Sequence, residues 1–96
     1  MSSFSAPFDT LDTDPDTTIL GRKLITLHDR PVLHETWRWD GLIGESLVFT
    51  LTDVHQVSDE TLVAWAREAG VLAEGETPEV KRSENGFAFL SFGFRN

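Results

Sequence analysis

Glu35, Glu45 and His34, with Trp37 and Trp39 two and four residues beyond Glu35, are the side chains best suited to chemistry in this sequence. Two carboxylates on neighbouring strands are what a glycosidase needs, one to give a proton and one to receive charge. A tryptophan beside a carboxylate raises its proton affinity, or offers an apolar plate for a sugar ring. Counting the turn after Trp39 as three residues, Asp40-Gly41-Leu42, sets Trp39 opposite Ile43 and Leu33 opposite Phe49. That register unites the larger apolar pairs. It also makes Glu35 and Glu45 diagonal neighbours on the tryptophan face. A two-residue turn would set Trp37 opposite Gly44 and Leu33 opposite Val48. A small enzyme or ligand-binding protein built on Glu35, Glu45 and His34 is therefore one reading. Against it, a 96-residue chain has little room for a cleft.

Metal chemistry is weakly encoded. His28 and His34 with Glu35 or Glu45 would make a mixed nitrogen–oxygen ligand set, yet none of the recurring zinc spacings is present. A turn at His28-Asp29-Arg30-Pro31 brings His28 nearer Val32 than His34. Asp12, Asp14 and Asp16 have the spacing that opens a calcium loop, but such a loop wants glycine at 17 and glutamate at 23, where this chain has Thr17 and Lys23. With no cysteine there is no disulfide, thiol nucleophile or thiolate zinc site. Phosphate-binding and dinucleotide-binding glycine motifs and a nucleophile elbow are absent. Neither metal nor cofactor is expected, and the chain reads as a non-enzyme.

Charge is more informative. Residues 19–52 carry four acids and four bases, whereas residues 53–79 carry seven acids and one base, Arg67. Most of the net charge of −8 sits there and in the four aspartates of the leading arm. Direct nucleic-acid binding and anionic membranes are disfavoured, because both want clustered Lys and Arg. Asp59, Glu60, Glu68, Glu74 and Glu76 supply a negative surface suited to a basic protein partner. An acidic nucleic-acid mimic or an immunity protein, blocking a basic nucleic-acid-processing enzyme, would present such a surface. Excess acid also serves solubility alone. The opening residues lack the basic and apolar stretches of a signal peptide, and no apolar run suits a membrane span, so a cytoplasmic protein is expected.

The elements that must position these residues follow from pattern. Residues 1–17, polar and acidic with Phe4 and Phe8, read as a flexible arm that docks by its rings. One α+β domain covers 18–96. Strands are expected at 18–28, 32–39 and 43–52. A helix follows at about 59–69, capped by Ser58, with Leu62, Trp65, Ala66 and Ala69 in one stripe and Gly70 at its end. Strands at 79–83 and 87–95 flank an Asn85-Gly86 hairpin. The order β-β-β-α-β-β gives an antiparallel sheet of about five strands with one helix on one face.

Strict alternation places Phe87 and Phe89 on one face, and Ala88, Leu90, Phe92 and Phe94 on the other. It likewise groups Ile19 with Ile25 and Leu27, against Leu20 and Leu24. A sheet apolar on both faces needs a second cover. Barrel closure, the arm through Phe4 and Phe8, or another chain would each provide one. The sequence thus points to an accessory subunit or inhibitor that binds a protein through Trp37, Trp39, Phe92 and Phe94. A homodimer through this aromatic face is the variant of that reading.

Overall fold

A computed structural model describes Phe8, Leu11 and residues 14–96. Phe4 and Asp12 lie outside the described residues. Five strands form one antiparallel sheet: β1 (Thr17–Leu27), β2 (Arg30–Trp39), β3 (Leu42–Thr50), β4 (Glu79–Arg82) and β5 (Phe87–Arg95). Between β3 and β4 come a helical turn, α1 (Leu51–Val54), and the main helix, α2 (Asp59–Glu68). The spatial order is β1-β2-β3-β5-β4, so β1 and β4 are the edges of an open sheet. The α+β architecture expected from the pattern is the one observed. Among the described residues no helix is long and apolar enough to cross a membrane.

Helix α2 starts and stops where its residues dictate. Ser58 Oγ accepts the Thr61 N–H at 3.2 Å, satisfying a donor the helix cannot use. At the other end Gly70 takes φ +76, and the Val71 N–H returns to the Ala66 carbonyl. A left-handed residue of this kind closes a helix most cheaply when it is glycine. Leu62 and Ala66 are buried against the sheet. The end of the expected third strand is instead α1, which carries buried Val54 into the core. Beneath the helices, Val32, Leu47, Phe49, Leu90 and Phe92 form the main core.

Both β-hairpins before the helices use two-residue turns. His28 and Asp29 have φ of 50° and 62°, and Asp40 and Gly41 have 47° and 78°. Two consecutive left-handed residues match the right-handed twist of the strands they join. Pro31 therefore sits within β2, facing Thr26, rather than ending the ladder. The ladder between β2 and β3 begins only at Leu33, so the N–H that proline lacks is not needed there.

The second turn corrects the expected register. Trp37 faces Gly44 and Leu33 faces Val48, the arrangement of a two-residue loop. Apolar pair size was the wrong criterion. A Cβ at Gly44 would stand 2.5 Å from Trp37 Cζ2, so the indole lies flat across the space that glycine leaves open. One of the two tryptophans of β2 has its cross-strand partner in the smallest residue of β3.

Two extra residues correct the expected faces. The β1–β2 register shifts between Ile19 and Gly21, and the β3–β5 register shifts between Ile43 and Glu45, opposite Gly93. Gly93 has φ +67, the backbone of a glycine bulge. Each insertion inverts the alternation beyond it. Ile19 therefore faces away from the helix while Ile25 packs on the main core, and Phe94 turns away from Phe92 to meet Trp37 edge-on at 5.8 Å.

The face away from α2 has a smaller core of Leu33, Val48 and Phe87. Phe8 completes it, 4% exposed and stacked on Phe87 at 6.2 Å, with Leu11 beside it. Of the three covers considered for this face, Phe8 and Leu11 of the arm occupy one end. Towards the Asp40-Gly41 turn the face is open among the described residues.

Candidate functional site

The open end of this face is a cleft of about 400 Å³. Strand β1 supplies Thr17 and Ile19, opposite Trp39 and Trp37 of β2. The floor holds Glu35, Ser46 of β3, and Phe89 and Ser91 of β5, while Leu11 and Asp14 close the arm side. A second hollow of about 370 Å³ adjoins it across Trp37, Phe89 and Ser91, running to Phe94 and to Glu79, Lys81 and Ser83 at the β4 edge.

The polar floor is ordered from within. Trp37 Nε1–H donates to Ser46 Oγ at 2.9 Å, and Ser46 Oγ lies 3.1 Å from Ser91 Oγ. Ser46 faces both Glu35 and Ser91 across the sheet, so three neighbouring strands each contribute one polar group to a row. Glu35 is only 5% exposed, and Arg22 from β1 donates to its Oε2 at 2.6 Å. A carboxylate taken from water is tolerated where such a charged donor meets it. Asp14 Oδ1 accepts the Asp16 N–H, which shapes the turn into β1.

The residues singled out from sequence separate into distinct places. Trp37, Trp39 and Phe94 come together on the open face, with Trp39 46% and Phe94 47% exposed. Phe92 is 1% exposed in the main core, stacked on His34 on the opposite face. Glu45 also belongs to that opposite face, where His34 Nε2 lies 3.0 Å from its Oε1 and Arg95 Nη1 lies 3.6 Å from its Oε2. The expected proximity of Glu35, Glu45 and the tryptophans is corrected by register. Glu35 faces Ser46 and Thr36 faces Glu45, so the two glutamates project from opposite sides of the sheet.

His28 likewise stands apart, stacked on Trp65 at 4.5 Å and 3.0 Å from Glu68, while His55 contacts the Thr52 carbonyl. No group of three or more metal-ligating side chains occurs among the described residues.

The acids of the helix region are partly engaged within the molecule. Asp59 accepts from Arg82 and Glu68 meets His28. Glu76 binds the Ala73 and Gly93 N–H groups with its two carboxylate oxygens. Glu60 and Glu74 are exposed.

Ser46, Ser91, Asp14, Ile19 and Leu11 are site residues that pattern reading missed. The signal for two of them was present. Ser46 and Ser91 interrupt strands that are otherwise largely apolar, and a hydroxyl there needs a partner. Compared with known protein families, curated proteins and solved structures, the chain matches none.

Proposed function

We propose that this chain is a non-catalytic binding module, an accessory subunit or inhibitor, that holds a protein partner on the open end of its sheet. One observation carries the reading: Trp39 and Phe94 are about half exposed beside Trp37, on a face that neither α2 nor Phe8 covers. Aromatic anchors at the centre of an interface supply most of its binding energy, and they seat in pockets. The cleft beside Trp37 is such a pocket, and its tryptophan wall is held by the bond to Ser46. A non-catalytic role agrees with the separation of Glu35 from His34 and Glu45 across the sheet. The acidic balance of the chain favours a basic partner and speeds its approach.

The test is a comparison of wild-type protein with a Trp39→Ser/Phe94→Ser double variant as bait in nuclease-treated lysate of the native host. Both rings are half exposed, so the fold should survive their loss. The expected outcome is a partner held by wild type and released by the double variant, with identical circular dichroism for the two baits. Equal capture by both would reject the site. Light scattering on the bait alone identifies the case in which the partner is a second copy.

A further inference from the structure

The cleft is acceptor-rich, and that chemistry selects its occupant. Its described lining contains two carboxylates, Asp14 and Glu35, three hydroxyls, Thr17, Ser46 and Ser91, and no Lys, Arg or His. The Trp37 N–H is already given to Ser46, so besides ring faces the walls offer the Trp39 N–H and the hydroxyls as donors, and no cationic donor among the described lining. Counting Arg22, which pairs with Glu35 from β1, the described cleft region still keeps a surplus negative charge. Its remaining surface is flat and apolar: two indoles, Phe89, Ile19 and Leu11.

An occupant must therefore bring donors, positive charge and a slender apolar stem. A guanidinium meets these terms better than an ammonium. It is planar, more weakly hydrated, stacks on indole, and presents paired N–H groups to a carboxylate. Resting on the binding-module reading, we infer that the cleft takes an arginine side chain of the partner. The guanidinium stacks on Trp39 and Trp37 with its N–H groups turned to Asp14, and the methylene stem runs along Ile19 and Leu11. The neighbouring hollow, with Lys81 and Glu79 at its margin, then meets the flanking residues of the same segment.

The experiment titrates the full-length protein with Nα-acetyl-arginine amide, Nα-acetyl-lysine amide and Nα-acetyl-citrulline amide, following the three indole N–H signals by NMR. Citrulline keeps the shape of arginine and removes its charge. The expected result is millimolar binding of the arginine probe that moves the Trp37 and Trp39 signals and spares Trp65. Citrulline should bind about tenfold more weakly, with lysine between them. Trp39→Ala should abolish the shifts, and Asp14→Asn, at an exposed position, should weaken arginine binding about twofold to threefold. Equal binding of arginine and citrulline, no shift with any probe, or unchanged binding by Trp39→Ala would each overturn the inference. The bait comparison stays independent. A partner lost from the Trp39→Ser/Phe94→Ser variant, alongside no preference for arginine, would leave a binding face with an apolar occupant. Failure of both removes the face itself.

Discussion

Gly44 explains how a single residue fixes the site. It has no room for a methyl group, because the Trp37 ring occupies that space. A Gly44→Ala change must push the indole out of plane and break its bond to Ser46. Overpacking of this kind costs about 1–3 kcal/mol, to be read from the urea midpoint. The same variant should shift Trp37 fluorescence and weaken arginine-probe binding, whereas a change that only loosened the fold would leave the bound spectrum alone. The residue is also a lesson in legibility. Glycine in a strand reads as a weak spot or a close approach, and here it is a close approach. Ranking registers by apolar pair size gave that meaning no weight, and so mispaired every residue of β2 with β3.

The strands, the helix and its caps were legible because their signals are local: periodicity, Ser58, Gly70, and the positions of the Asp-Gly and Asn-Gly turns. The turn lengths were not: the Asp-Gly loop has two residues rather than three. The Asn-Gly loop, expected as a two-residue type I′ turn, spans residues 84–86, with the Ser83 N–H bonded to the Phe87 carbonyl and Gly86 left-handed but not Asn85. What escaped pattern reading were the departures from periodicity, the extra residues at Leu20 and Gly93, and the helical turn α1. Each depends on pairing with a distant strand or on core space that no local window contains. Their ends are tied down by long-range bonds. Arg82, on edge strand β4, donates to the Val54 carbonyl at 2.9 Å, the Val57 carbonyl at 2.6 Å and Asp59 Oδ1. It thus closes the exposed end of α1 and the entry to α2 together. Arg82→Met keeps the stem and removes those bonds, leaving the Val54 carbonyl with only the Val57 N–H. We expect it to lower stability by about 1–2 kcal/mol. Asp59→Ala removes only the exposed ion-pair partner, so urea midpoints should show it to be much the milder change. Equal effects would mean that charge, not the carbonyl contacts, makes the connection.

At the scale of the molecule, the two faces of the sheet are completed by different parts of the chain. The helix covers one, and Phe8 with Leu11 covers one end of the other. Phe8→Ala should cost about 2–3 kcal/mol, below the full toll of a central phenylalanine because Phe8 packs on the smaller of the two cores. Urea unfolding checks this, and a loss under about 0.5 kcal/mol, the range of ordinary surface changes, would mean that the arm contributes little in solution. The same variant opens Leu33, Val48 and Phe87 to water, so dye binding and self-association should rise together. The acidic balance belongs to this scale as well. It is the basis for proposing a basic partner, yet the aromatic cleft lies on the face opposite α2, where only the paired strands reveal it.

The two inserted residues give the aromatic face an unusual kind of encoding. Ile19 reaches the cleft, and Phe94 the hollow beside it, because each lies beyond a bulge, not because of a local preference. Which side of the sheet they adorn is a matter of parity. A chain otherwise identical but lacking Gly93 would send its last phenylalanine to the other side. A column-by-column comparison would score the two as nearly the same. One would carry a sticky surface and the other a plain one, so a change in length alone can create or erase a docking face.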